Sequence, residues 1–359
     1  MRVYRLMKKN ANSPSTEVFK TYDCSEFDLY ITKQIYAGNI SYDPACYYPS
    51  KEKQVDMFCK DLWKGYEHFD GIDHEHWIDI RDLDPTKNRD DYIMSVLHEH
   101  HKEAKELGYE VMVTILQGSQ NYGLDIYNDS YKSDIDSKAI VIPTFEDFVV
   151  GRSPVSHTHE RENKEHIDLK DIRIMFDTFK KQNVNFVEIL FSDYFVVEPK
   201  YKDLWEDLRS LAEELVHAHP SQTVKTMSGM SKEKYKALKH PYPTIKWKID
   251  KWGYDGKQLH HIIRINDFIK RYIYGLSFKE AMQPTDHIRD MLIKAKLNEY
   301  TLEEAEDLAK KFDEETNQIK DDYIKYHGEN ITNEAAYDAL NSIKVKILKK
   351  YFTEQLLND

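Results

Sequence analysis

Apolar residues fall in two rhythms along this chain. The run 111–116 (Val-Met-Val-Thr-Ile-Leu) and the run 139–142 (Ala-Ile-Val-Ile) read as strands. Segment 166–170 alternates, which puts Ile167 and Leu169 on a core face and His166, Asp168 and Lys170 on the other. Elsewhere the helical period takes over. Val55, Phe58, Cys59, Leu62, Trp63 and Tyr66 predict an amphipathic helix over 51–66, and a further helix is expected over 90–107, stopped by Gly108. Beyond residue 200 the pattern is mainly helical, with one stripe at Leu302, Ala305, Leu308, Phe312, Ile319 and Tyr323 and another at Ala336, Leu340, Ile343, Ile347 and Tyr351. A turn-rich break at 82–88 completes the division. Three parts follow: an irregular 1–88 with its one helix, a mixed α/β core over 89–200, and a helical region over 201–359. The fold class expected is α+β, and no internal repeat or low-complexity tract interrupts it.

The strand at 111–116 delivers the chain into Gln117-Gly118-Ser119-Gln120-Asn121-Tyr122-Gly123, and Ser133-Asp134-Ile135-Asp136 follows. Residues i and i+2 of a strand share a face, so Asp134 and Asp136 can present two carboxylates to one divalent ion while Ile135 turns into the core. Gly118 lets backbone amides approach a phosphate closely, and Ser119 adds a hydroxyl. Mg²⁺ takes oxygen ligands and commonly uses one or two carboxylates, with phosphates and water completing its shell. Either half alone is common, the acid pair as a solvated face and the Gly-Ser as a plain turn. Their order, strand then Gly-Ser then acid pair then strand, resembles the active-site signature of the DNA-polymerase-β-type nucleotidyltransferases. Fourteen residues separate Ser119 from Asp134, more than that family usually has. The surplus falls in the polar stretch 126–132, which reads as a loop insertion.

A third carboxylate of such a site should come from a neighbouring strand. Asp168 is the candidate, able to ligate the metal and to accept a proton from the attacking hydroxyl. Asp171 is the alternative, and either residue can instead cap the helix that runs on from Ile172. Segment 180–191, Lys-Lys-Gln-Asn-Val-Asn-Phe-Val-Glu-Ile-Leu-Phe, is similar to the Lys-Gly-Asn-Pro…Glu-Leu-Leu segment of the RlaP-type nucleotidyltransferases associated with RNA repair, with Val184 where proline is usual. Segment 253–264 resembles that group's Tyr-Asp-x-Lys-x-x-x-His-x-x-Arg motif. The resemblance covers about 110–275 and leaves 1–88 as an addition; the overall texture is similar to phage-encoded members. Lys257, His261 and Arg264 stand at i, i+4 and i+7, one helix stripe able to hold triphosphate oxygens, with Leu259, Ile262 and Ile263 toward the core. The bland reading of that stripe is an exposed basic face.

Composition narrows the partners. The 359 residues carry a formal net charge of -12, which argues against indiscriminate DNA coating. Residues 223–271 depart from that balance, with twelve Lys/Arg against four Asp/Glu, so the rest of the chain carries -20. Tyr235, Tyr242, Trp247, Trp252 and Tyr254 interleave the positive charge. Such a segment suits a triphosphate or single-stranded RNA, or is a solvated basic face whose aromatics serve the core. No run approaches a membrane span, the first residues lack a signal peptide's apolar segment, and Cys24, Cys46 and Cys59 lack metal or disulfide spacing, so a reducing cytoplasm is expected. His98, His100 and His101 fail the His-Glu-x-x-His pattern, and with His74 and His76 they read as surface histidines. The resemblance implies a Mg²⁺- or Mn²⁺-dependent enzyme that moves a nucleoside monophosphate from an NTP to an acceptor. Asp134, Asp136 and Asp168 would hold metal and Gly118 and Ser119 the β/γ-phosphates, with RNA, such as a tRNA end, as the leading acceptor. Protein or small-molecule nucleotidylation, a non-catalytic RNA-binding module, and a toxin–antitoxin or anti-defence component acting through 1–88 are the alternatives.

Overall fold

A five-stranded mixed sheet carries the middle of the chain. The computed structural model describes residues 89–128 and 131–358, residue 86, and five short strand segments before them. Val3–Tyr4 pairs with Tyr22–Asp23, and Leu6–Lys8 lies between Glu17–Val18 and Trp77–Asp79. The helix expected over 51–66, the cysteines, and His74 and His76 lie outside the described residues.

The main sheet is built from β1 (Glu110–Gln117), β2 (Asp136–Ile142), β3 (Ser156–Glu160), β4 (His166–Asp171) and β5 (Phe195–Val197), in the order β5-β1-β2-β4-β3. Only β2 and β4 pair in parallel; the chain between them runs through α2 (Phe145–Val149) and the β3–β4 hairpin. Helices cover both faces at the sheet centre, so β1 is buried from Val111 to Leu116 without alternation. On one face α1 (Arg89–Glu106) packs Ile93 and Leu97 against Leu116 and Ile135, and Ala104 against Val111 and Ala139. On the other, Val113, Ile115 and Ile140 meet Met175 and Phe176 of α3 (Ile172–Lys180).

The histidines of α1 correct the surface assignment. His100 is fully buried, with Nδ1 2.9 Å from Ser137 Oγ and Nε2 3.4 Å from Glu165. His101 is buried between Thr114 Oγ1 and Glu198 Oε1, each 3.0 Å away. Ser137 and Thr114 are polar residues turned toward the helix, and the imidazoles satisfy them. Their role is to dock α1 against the sheet.

After β5 the chain is helical: α5 (Lys202–Ser210), α6 (Ala212–Val216), α7 (Pro220–Ala237), α8 (Lys246–Trp252), α9 (Gly256–Ile273), α10 (Phe278–Met282), α11 (Asp286–Lys296), α12 (Leu302–His327) and α13 (Glu334–Asn358), with the short α4 (Val184–Val187) before β5. One apolar cluster joins Ile115 and Ile140 of the sheet to Trp205, Ile262 and Phe312 of the helices, so packing runs unbroken past residue 200. No helix among the described residues is long and apolar enough to cross a membrane. Leu259, Ile262 and Ile263 are fully buried, as the α9 stripe predicts. Asn266 ties α9 to α12 through Phe312 O at 3.2 Å and Thr316 Oγ1 at 3.1 Å.

The start of α9 is fixed by two neighbours in sequence. Asp255 caps it, accepting from Lys257 N at 3.2 Å. Gly256 then passes so close to the end of α11 that a Cβ would stand 2.0 Å from Ala295 O. Only glycine permits this approach. Gly256→Ala is therefore expected to lower stability by about 3 kcal/mol, the upper range for overpacking. Gly229→Ala in α7, where a Cβ meets nothing within 4 Å, should raise it by about 0.5–1 kcal/mol. Urea unfolding of both variants measures the pair, and equal midpoints would remove the close-approach argument.

Candidate active site

Strand β1 ends at Gln117 and hands the chain to Gly118, whose φ of +94° disfavours any side chain, and the space a Cβ would occupy there is open to 4 Å. Gly118 and Ser119 line a cavity of about 760 Å³ together with Asp134 and Asp136. Asp134 precedes the β2 ladder, yet the alternation already holds: Asp134 is exposed, Ile135 fully buried and Asp136 half-buried. Gln120 Nε2 fastens the Asp134 carbonyl at 2.7 Å. Asp136 Oδ1 accepts from the His166 backbone N at 3.0 Å and lies 3.1 Å from its ring Nδ1. Partial desolvation of the carboxyl in the cavity and the neighbouring Asp136 charge push Asp134 above the ordinary carboxylate range, with Lys257 pulling against them. The pair thus carries negative charge that the protein leaves only partly compensated. Two carboxylates with open access suit a hard divalent cation whose remaining ligands are phosphate and water. Among the described residues no three His, Cys, Asp or Glu side chains converge to hold a metal by themselves.

The opposite wall comes from the helical region. Lys257, His261 and Arg264 of α9 all reach the cavity, as does Lys296 at the end of α11. Lys296 Nζ donates to Leu124 O at 3.1 Å and lies 3.3 and 3.2 Å from the hydroxyls of Ser119 and Ser133. Burial and nearby Lys257 bring its pKa down to about 8. The sequence reading missed Lys296, because a lysine in the last turn of a helix is an ordinary partner of the helix dipole. Arg264 is more committed than its stripe suggests. Its Nη2 donates to Glu188 Oε2 at 2.9 Å, its guanidinium carbon stands 3.6 Å from the Tyr122 ring centroid, and the Tyr122 hydroxyl also donates to Glu188. Glu188 was in view only as part of segment 180–191. There Asn183 caps α4 and Val184 takes the first helical position, where proline is favoured. Burial pushes the pKa of His260 down to about 3 and that of His261 well below the ordinary value, so both imidazoles are neutral. His260 Nδ1–H then donates to Leu292 O at 3.0 Å.

Asp168 stands apart from this constellation. The parallel register sets it level with Lys138, and the Lys138 ammonium lies 2.5 Å from one of its oxygens. Lys170 Nζ is 2.9 Å from the other oxygen, and Thr158 Oγ1 donates to that oxygen at 3.3 Å. Burial works to raise the Asp168 pKa, but the two ammoniums hold it below the usual carboxylate range. Lys138 is itself packed beneath Phe186, 4.2 Å from the ring centroid. Asp168 is not among the residues that line this cavity. Asp171 is fully buried as the cap of α3, accepting from Arg173 N at 2.8 Å and pairing with the Arg173 guanidinium at 2.7 Å.

The Arg264 contacts make its loss a matter of stability as well as of the site. Arg264→Ala strands a Glu188 carboxylate whose side chain is only 4% exposed, and should cost on the order of 3 kcal/mol. Lys257→Ala, an exposed change on the same stripe, should stay within about 0.5 kcal/mol of wild type. Denaturant unfolding compares them; an Arg264 variant as stable as the Lys257 variant would contradict the paired assignment.

No known family model and no curated protein matches the chain. Among solved structures it overlaps a crystal structure of a nucleotidyltransferase-like protein from Exiguobacterium sibiricum 255-15, at 13% identity, with 73% of this chain and 91% of that one covered and a TM-score of 0.25. An overlap of that TM-score is too slight to argue fold or function from.

Proposed function

We propose that this chain is a divalent-metal-dependent nucleotidyltransferase that moves a nucleoside monophosphate from an NTP to an acceptor, with RNA the leading acceptor. One observation carries the reading: an open acid pair and a glycine turn face a wall of cations across a single cavity. Asp134 and Asp136 would hold Mg²⁺ or Mn²⁺, which when bound neutralises phosphate charge and polarises the phosphoryl group. Gly118 and Ser119 offer the close approach for the β/γ-phosphates, and Lys257 and Lys296 supply charge on the far side. Arg264, tied to Glu188, orients that wall. Asp168 is taken up by Lys138 and Lys170, so this reading draws no proton acceptor from it and relies on positioning and charge. The same observation favours a second reading, a nucleotide-binding protein without transfer, because among the described residues no third carboxylate joins the acid pair in a metal-holding group.

Incubation with each α-³²P-labelled NTP, Mg²⁺ or Mn²⁺ and total RNA separates the two. Labelled RNA is expected; labelled protein or a small labelled product would move the acceptor, and bound NTP with no product under any condition would favour the second reading. Asp134→Asn and Asp136→Asn should each lower transfer by roughly a hundredfold or more, since each removes a ligand charge from the site where phosphate charge is neutralised. Near wild-type turnover of either at saturating Mg²⁺ would sink the metal assignment.

A pH dependence follows from Lys296. Its free-state pKa is about 8, and phosphate favours the charged form. Bound NTP should therefore raise that pKa, and NTP affinity should fall as pH rises through about 8. Lys296→Arg keeps its charge there and should flatten the profile. Calorimetry of Mg·NTP binding between pH 7 and 9 tests this, and identical profiles for both proteins would refute it.

A further inference from the structure

The far wall of the cavity continues into a surface that triphosphate binding does not explain. Trp247 of α8 is 56% exposed, with its ring centroid 5.6 Å from that of Trp252. The Lys251 ammonium sits 4.2 Å over the Trp252 ring, and Lys248 lies 5.8 Å from that of Trp247. Both tryptophans line the cavity. Lys234 at the end of α7 lines it too, and also lines a second depression of about 490 Å³ walled by Lys236, His240 and Tyr242. Tyr242 is 48% exposed, 4.1 Å from the His240 ring.

Charge pairing separates this path from its surroundings. Nearby Lys239 and Lys246 are neutralised by Glu306 and Asp250. Lys234, Lys236 and Lys251 form no ion pair among the described residues. These ammoniums, none of them in an ion pair, line the cavity and the adjoining depression beside the exposed rings, with Lys234 common to both. Unpaired positive charge and exposed stacking faces meet here, with Glu233 the one acid lining the second depression. A polyanion with accessible ring faces fits that combination, whereas a duplex hides its bases within its own stack.

Resting on the transfer reading, we propose that α8 and the end of α7 form a ledge that seats the terminal nucleotides of a single-stranded nucleic acid. Its bases stack on Trp247 and Tyr242, its phosphates lie along Lys234, Lys236 and Lys251, and its end points toward Asp134 and Asp136. The ledge selects for an unpaired end through stacking and reads no sequence. RNA and DNA share the recognised chemistry.

Fluorescence anisotropy of the full chain with a short 5′-labelled RNA, its DNA equivalent and the blunt duplex, without nucleotide or metal, tests the ledge. Single strands of one or both sugars should bind more tightly than duplex. Trp247→Ala should weaken that binding about tenfold, the effect of one stacked base. Lys236→Gln and Lys251→Gln should each reduce the slope of log affinity against log salt by about 0.7. Duplex bound as tightly as single strand, no binding of any oligonucleotide, or binding that these variants leave unchanged would overturn the ledge. Mg·NTP binding by the wild-type chain, measured by calorimetry alongside, keeps the two readings separable. A chain that binds oligonucleotide through the ledge but no NTP upholds the ledge and removes the transfer reading. A chain that binds and transfers NTP but holds no oligonucleotide removes the ledge alone.

Discussion

The buried pair of Glu188 and Arg264 sets how the two halves of the site face each other. Glu188 comes from the segment after α4, Arg264 from the middle of α9, and Tyr122, which contacts both, from the turn that Gly118 begins. Their charged side chains are 4% and 14% exposed, so neither can part from the other without leaving a charge in a poor solvent. Such a pair adds little net stability over apolar packing, but it penalises every arrangement in which its members separate. The glycine turn, the connecting segment and the long helix are thereby held to one geometry. The cavity between them is a consequence.

Around that knot the charges divide by wall. The sheet contributes Asp134 and Asp136, and the helices contribute Lys257 and Lys296. Each side is frustrated within itself. Burial first and then Asp136 raise the carboxyl of Asp134, and burial first and then Lys257 lower the ammonium of Lys296. Both strains are of the kind that an anion with its own counter-cation relieves, since it gives each like-charged set an opposite charge. The neutral imidazoles of His260 and His261 belong to the same logic. Charging them in a buried site already crowded with ammoniums would add repulsion, so burial keeps them uncharged.

Much of this was legible in the sequence, and the reasons differ by residue. The apolar run in β1, the alternation in β4 and the stripe of α9 are periodic, and periodicity survives without coordinates. That Gly118, Asp134 and Asp136 share one cavity was legible because they lie close together in the chain. Lys296 and Glu188 were not, since their partners lie far away in sequence: Lys296 meets Ser119, and Glu188 meets Tyr122 and Arg264. The α1 histidines misled for a related reason. A His-rich helix face looks solvated until Ser137 and Thr114 are seen beneath it. Gly256 was visible as a letter, but its need for glycine comes from Ala295, and chain pattern carries no sign of that approach.

Asp168 shows where alternation stops being informative. Period-2 reasoning put it on the right face, beside the acid pair, but which of several acids on a face stays open depends on what stands next to each across the strands. On this face Lys138 and Lys170 hold Asp168, and His166 occupies one oxygen of Asp136. Asp134 sits just before the ladder begins, where no neighbouring strand supplies a donor, and its carboxylate forms no hydrogen bond or ion pair among the described residues. The acid best placed to take a cation is thus the one the sheet could not reach. A carboxylate one step inside the ladder would have been neutralised by the same pairing that makes the strand stable.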